Sequence, residues 1–306
     1  MRKVWEKSFW YGFWRRYVDL CTRSGFASLN IEGVGNIPKD ACVVLAPNHS
    51  AALMDAMMVL LLDKGPIAFG ARASIFKKET TTKILRWLRI LPLARQRDGL
   101  QEVAKNFSTI EEIVECLAHK VPFTIYSEGT HRAERGMMPV KKGIFRIALH
   151  ASQELGEPVY VVPVGIDYEY FFHQVGDAQI RVGEPIEVSS YFTEHQDLPP
   201  AEIYSLLCDE LHSRVLGLLG KFKEHRHGHG HKFLRLIGIL LTLPLFIICW
   251  VGSLPIWLTS ELILLRMKDK AWTHTVYYCV RLFLPVFWPF FSGYAILLNF
   301  YRNFFD

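Results

Sequence analysis

The residues with the clearest chemical potential are Asn48-His49 and, after five intervening residues, Asp55. Cys42-Val43-Val44-Leu45-Ala46 reads as a buried strand, and Ala51 to Leu62 as a compact apolar helix. His49 would then project from a strand-end turn rather than into a core. A carboxylate that accepts one imidazole N–H fixes the tautomer, leaving the other ring nitrogen free to take a proton from a hydroxyl. Such a base, with no separate nucleophile motif beside it, favours direct attack of an alcohol on a thioester. The plain alternative is a turn histidine followed by an unrelated helix aspartate. The pair alone does not decide between them.

Three further segments set polar residues at strand ends or in extended chain. Ser127-Glu128-Gly129-Thr130-His131-Arg132, with Lys141-Lys142-Gly143 beyond it, follows the strand Pro122–Tyr126. A glycine turn exposes backbone N–H groups and an arginine matches a phosphate bidentately, so this is a candidate anion cradle. A solvated loop is the competing reading. Ile90-Leu91-Pro92-Leu93-Ala94-Arg95-Gln96-Arg97-Asp98 is extended and presents two arginines. Val161-Val162-Pro163-Val164 reads as a buried strand with a proline at the sheet edge.

The elements that must position these residues alternate. Strands are expected near 67–70, at Val159–Ile166 and around Ile180–Val182, with helices at 80–91, 99–118, Lys142–Leu155 and 200–220. That order implies an α/β fold, a central mostly parallel or mixed sheet flanked by helices, with chemistry at the strand ends. Residues 4–24 read as an interfacial helix, with Trp5, Phe9, Trp10, Tyr11, Phe13 and Trp14 among Arg2, Lys3, Lys7, Arg15 and Arg16. Indoles at headgroup level and cations against lipid phosphates suit an anionic membrane surface. From Phe233 to Leu265, and again over 276–300, the chain is apolar for longer than the roughly 20 residues a bilayer needs. A two-span transmembrane hairpin is the default, and a re-entrant hairpin the alternative, because Pro244, Pro255, Pro285 and Pro289 interrupt it. The chain divides accordingly into an interfacial helix (1–28), a catalytic domain (29–222), a His/Gly linker (223–232) and membrane-embedded helices (233–306).

Taken together and in this order, the four motifs resemble the lysophosphatidate and glycerol-3-phosphate acyltransferase family over roughly residues 30–215. The lead-in Glu32-Gly33-Val34-Gly35-Asn36-Ile37-Pro38 is similar to the family's approach to its histidine. The resemblance implies His49 as catalytic base and Asp55 as its orienting partner. It implies Arg95, Glu128, Gly129, Thr130 and Arg132 as the acceptor's phosphate site, with the Val-Pro strand shaping an acyl site. It implies transfer of a fatty-acyl group from acyl-CoA or acyl carrier protein to 1-acylglycerol-3-phosphate in phospholipid biosynthesis, with no metal and no cofactor. Glycerol-3-phosphate is the alternative acceptor, and a catalytically silent lipid-binding protein on the same fold the alternative function. Backbone N–H groups near Gly129 or the helix start would stabilise the oxyanion. Two positions depart from the pattern: the family's commonest spacing has four residues between histidine and aspartate, and His131 intervenes where an arginine usually follows the Glu-Gly-Thr turn.

Composition bounds the rest. The 306 residues are 50% hydrophobic and 13% aromatic with a net charge of +5, and the apolar excess collects at the two ends. Basic and aromatic residues together could also stack on nucleic acid. The membrane-like C-terminal third favours lipids as partners and no nucleic acid. Six scattered cysteines, without metal-ligand spacing, suit reduced thiols and a catalytic domain facing the cytoplasm. The run His225-Arg226-His227-Gly228-His229-Gly230-His231 reads as a linker before it reads as a metal site. Met54, Met57 and Met58 are core or acyl-tunnel lining, core being preferred. Arg281, costly in lipid, is expected to snorkel or to face the catalytic domain and a lipid headgroup. Tyr168-Glu169-Tyr170-Phe171-Phe172 is either a membrane-dipping loop or a buried edge.

Overall fold

The computed structural model describes residues 3–6, 8–94, 106–170, 176–220 and 232–305. Strands β1 (Ser28–Glu32), β2 (Cys42–Pro47), β3 (Ala68–Arg72), β4 (Ile90–Leu93), β5 (Phe123–Thr124), β6 (Val159–Tyr168) and β7 (Asp177–Val182) form a mixed sheet in the order β1-β7-β6-β2-β5-β3-β4, and β8 (Ile186–Glu187) pairs with β6. β6, β2, β5, β3 and β4 run parallel, while β7 and β8 oppose β6. β2 alternates strictly: Cys42, Val44 and Ala46 enter one core, Val43 and Leu45 the other. A strand buried on both faces needs no polar residue, which is why it reads as a continuous apolar run.

Helices α1 (Phe9–Arg23), α2 (Leu53–Leu60), α3 (Glu79–Trp87), α4 (Asn106–Ala118), α5 (Gly143–Leu155), α6 (Val188–Glu194) and α7 (Pro200–Leu218) cover the two faces. The expected α/β architecture is present. The proline of the Val-Pro strand is not at an edge: β6 lies between β2 and β7, and Pro163 pairs in register with Ala46. On the other flank β6 changes partner there, from β8 at Val161 to β7 at Val164. The missing donor therefore falls at a handover between strands, where a ladder bond is interrupted in any case.

The N-terminal helix is shorter than expected. Ser8 caps it, its hydroxyl accepting from the Tyr11 N–H at 3.2 Å. Phe9, Trp10, Phe13 and Trp14 are exposed, but two of the cations beside them are not available to lipid. Arg15 is buried and donates to the carbonyls of Leu60, Asp63 and Gly65, satisfying the C-terminal end of α2. Lys3 is paired with Glu115 at 3.0 Å.

The C-terminal part comprises α8 (Lys232–Leu264), α9 (Thr273–Phe283) and α10 (Trp288–Phe305). Within α8, Gly238–Leu264 is long and apolar enough to cross a membrane, and Leu241, Ile248, Leu258 and Leu262 are exposed along it. The second apolar stretch is not one straight helix. It bends by 101° between Lys270–Phe283 and Pro285–Tyr301, at the proline. α9 is largely buried among α1, α2 and α8, which explains its polar content: His274, Thr275, Tyr277 and Arg281 face protein. Arg281 takes neither expected place: it is buried over the Phe291 ring at 5.1 Å to the centroid and close against Gly25, between the N-terminal helix and the C-terminal helices. All six cysteines are free thiols. Met54 and Met58 belong to the core, while Tyr168 is buried and Tyr170 exposed; Phe171 and Phe172 lie outside the described residues.

Candidate active site

The parallel strands β2, β5 and β6 end on the same side of the sheet, so the residues that follow them gather at one edge. β2 stops at Pro47, and Asn48 continues its pairing with a side chain. Its Oδ1 accepts from the Ile166 N–H at 2.7 Å and its Nδ2 donates to the Ile166 carbonyl at 3.0 Å. This lets the backbone leave the sheet at His49 without orphaning the β6 groups opposite.

His49 Nδ1 lies 2.8 Å from Asp55 Oδ2. The same oxygen accepts the N–H groups of Ser50 and Ala51, each at 2.8 Å, and Oδ1 accepts the Tyr168 hydroxyl at 2.8 Å. Asp55 is 0% exposed, yet four donors and the N-terminal turn of α2 compensate its charge. Burial, and the Asp55 charge next, hold the Tyr168 hydroxyl well above the usual tyrosine range, so it stays a donor. With Nδ1 committed, Nε2 is the free nitrogen of a ring that keeps 18% of its surface open. Tyr126 stacks on the ring at 4.1 Å. Ser50, adjacent in sequence, is no nucleophile for it: it is buried, and its hydroxyl accepts from Asn48.

The five-residue spacing is resolved by backbone rather than helix. α2 begins only at Leu53, and Ala52 before it takes φ 50° and ψ −123°, a conformation that favours glycine. That kink absorbs the extra residue, so Asp55 at the third helical position still reaches back to His49. Ala52→Val, which adds β-branching where φ is positive, is expected to displace Asp55 and lower kcat roughly tenfold or more, whereas Ala52→Gly retains turnover. Steady-state kinetics on the two variants checks this.

Glu128 is turned inward. It is 5% exposed, with Oε1 accepting the His49 backbone N–H at 2.6 Å and Oε2 that of Met138 at 2.8 Å. Burial raises its carboxyl above the ordinary range, and the two backbone donors oppose that rise. It braces the His49 turn from below. In Glu128→Gln, relief of a buried charge and loss of one acceptor, each worth about 1–3 kcal/mol, have opposite signs. The expected result is a small change in melting temperature but a severalfold loss of kcat. Because the folded carboxyl titrates above its unfolded value, its contribution to stability is fully present below about pH 4.5 and is lost as pH rises through the raised value. The stability of wild type relative to Glu128→Gln should therefore decline over that range in a pH series of thermal melts.

The remaining cradle residues lie close by. Gly129 has φ 71° and spends its N–H on the Tyr126 carbonyl at 3.1 Å, so with Ser50 and Ala51 bound to Asp55, none of these three is left for an oxyanion. Arg132 donates its backbone N–H to the His49 carbonyl at 3.2 Å, and its half-exposed guanidinium pairs with Glu134 at 3.2 Å. Thr130 is exposed. Arg95 lies outside the described residues, as does the histidine run 225–231. Among the described residues no cluster of three or more metal-ligating side chains occurs.

Several neighbours of the site were given no role from the sequence. His131, the residue that interrupts the family pattern, sits edge-on to His49 at 5.4 Å and 76°, and its Nε2 is 2.9 Å from Asp269 Oδ2. Arg135 binds both oxygens of Asp167 at 2.9 and 3.0 Å. Tyr168 could have been suspected as the last residue of the Val-Pro strand. Thr275, which touches the backbone around Ala52, could not.

A buried carboxylate orienting a partly open imidazole at the strand ends of an α/β sheet is an arrangement able to accept a proton from a hydroxyl. Residues 28–167 match the Acyltransferase family model, which identifies an acyltransferase domain in that segment. The crystal structure of the 1-acyl-sn-glycerophosphate acyltransferase PlsC from Thermotoga maritima aligns over 69% of this chain and 81% of that chain, at 21% identity and a TM-score of 0.47. No curated protein matches the sequence.

Proposed function

We propose that this acyltransferase moves a fatty-acyl group from an acyl thioester, acyl-CoA or acyl carrier protein, to the free hydroxyl of 1-acylglycerol-3-phosphate. The observation that carries the reading is the 2.8 Å contact of His49 Nδ1 with buried Asp55, which leaves Nε2 as the only basic nitrogen of the ring. Nε2 takes the proton of the acceptor hydroxyl as its oxygen attacks the thioester carbonyl. Collapse of the tetrahedral intermediate breaks the C–S bond, and the thiolate leaves with the proton carried by His49. The electron pairs balance without a covalent acyl-enzyme.

A lipid acceptor fits the surroundings. The exposed Phe9, Trp10, Phe13 and Trp14 of α1 and the apolar span Gly238–Leu264 would hold the domain at a bilayer, catalytic part toward the cytoplasm, where six free thiols stay reduced. Arg132, and Arg95 by its position in the motif, would meet the phosphate, with Thr130 and the Gly129 turn at its edge.

The test is an acceptor panel. The full chain in membranes is given labelled acyl-CoA or acyl carrier protein thioester with 1-acylglycerol-3-phosphate, glycerol-3-phosphate and other lysophospholipids. The expected product is the diacylglycerol phosphate. Transfer to glycerol-3-phosphate alone would replace the acceptor, and binding of lipid without transfer to any acceptor sinks the enzymatic reading.

A further inference from the structure

The family-matched segment ends at residue 167, yet the candidate site does not. Three side chains between residues 269 and 275, on and just before α9, reach the dyad by separate routes. Thr275 Oγ1 donates to the Ala51 carbonyl at 3.1 Å and accepts the Met54 N–H at 3.3 Å. These groups flank Ala52 and bond each other at 3.0 Å, and the one hydroxyl adds a second tie on both sides of the strained kink that sets the His49–Asp55 spacing. His274 stacks on Tyr168 at 4.7 Å and 22°, and its Nε2 is 2.6 Å from the Tyr170 carbonyl. The ring behind Tyr168 thus fixes the phenol whose hydroxyl holds Asp55 Oδ1. Asp269 binds His131, the imidazole edge-on to His49, and Trp272 packs on that same ring at 5.9 Å.

We propose that Asp269, His274 and Thr275 are positioning residues of the active site, a rear wall supplied by the C-terminal segment that holds the dyad in reactive geometry. The physical need is specific. A non-glycine residue at φ 50° relaxes unless its neighbours fix it, and the Ala51 carbonyl and Met54 N–H are the groups that would move. A hydroxyl that bonds both at once opposes that relaxation where an apolar side chain of equal size cannot. Asp269 is more than half exposed and outside any core; one carboxylate oxygen meets His131 and the other caps the next turn, accepting the Ala271 N–H at 3.0 Å.

The inference rests on acyl transfer as the function, so its test carries a readout that needs no turnover. Thr275→Val keeps the volume and loses the hydroxyl; Thr275→Ser keeps the hydroxyl and loses the methyl group. With the full chain in membranes, Thr275→Val should lose at least fivefold in kcat with KM within twofold of wild type. Thr275→Ser should stay within twofold in both. Hydrogen exchange of the Ser50 and Ala51 amides, which are bonded to Asp55, should quicken in the valine variant only. A merely space-filling threonine predicts the reverse ranking, and wild-type kcat and exchange in Thr275→Val overturn the proposal. Should the valine variant not fold, Asp269→Ser decides, because serine keeps an acceptor for the Ala271 N–H and is too short to meet His131: a severalfold lower kcat at unchanged melting temperature supports the wall, and wild-type kcat overturns it. If the wild type transfers no acyl group, the exchange data still decide the wall while the functional reading fails alone.

Discussion

Replacing His49 by alanine will abolish acyl transfer while leaving the protein folded and on its membrane. The expected loss is about 10²–10⁴-fold in kcat, the usual worth of a general base. Nothing else described is placed to substitute for it: Ser50 faces Asn48, and His131 spends its Nε2 on Asp269. The fold should survive because the structural duties of residue 49 belong to its backbone. Its N–H goes to Glu128 and its carbonyl accepts from Arg132, and alanine keeps both. Measured by labelled-product formation alongside thermal unfolding, substantial residual turnover at an unchanged melting temperature would rule His49 out as the base.

Asp55 offers the second large effect, and two substitutions separate its roles. In Asp55→Asn the amide oxygen can take the place of Oδ2 and accept from His49, Ser50 and Ala51, while Tyr168 turns its hydroxyl to accept from the new NH₂. The opposite orientation would set an NH₂ group against three donors, so it loses. The hydrogen-bonded framework and the His49 tautomer survive, but the charge that stabilises the imidazolium of the transition state is gone. We expect kcat to fall about 100-fold with melting nearly unchanged. Asp55→Ala strips the acceptor from two buried backbone N–H groups and a buried phenol, each worth about 1–3 kcal/mol, and should lose activity and stability together. Equal stability losses in both variants would contradict this division, and circular-dichroism melts read it directly.

How much of this was legible depended on distance along the chain. The β2 strand, the His49 turn and the Glu-Gly-Thr turn after β5 are local features, written in apolar runs ended by polar residues, and they appear where the sequence places them. Pro163 misled because an edge position is the general rule for proline in a sheet, while an exchange of neighbouring strands is visible only in three dimensions. Ala52 gave no sign of a positive φ, since only glycine or asparagine advertises one. Arg15 looked like a lipid-facing cation because its helix neighbours are aromatic, yet it closes the end of α2. The turn of Glu128 toward the His49 backbone and the approach of residues 269–275 are tertiary facts, with no periodicity to carry them.

The bond between Thr275 and Ala51 spans 224 positions of sequence. During synthesis the sheet and the helices through Leu218 emerge long before residue 275 is made, but α1, α2 and the core beneath them are completed only when α9 packs against them. The dyad residues would by then be present but unstapled, with Ala52 free to relax. Full activity would await the last helices and the long loop closure that brings α9 between α1 and α2. A nascent chain would then carry the dyad without its rear wall, and acyl transfer would begin only once the apolar C-terminal helices had found their place.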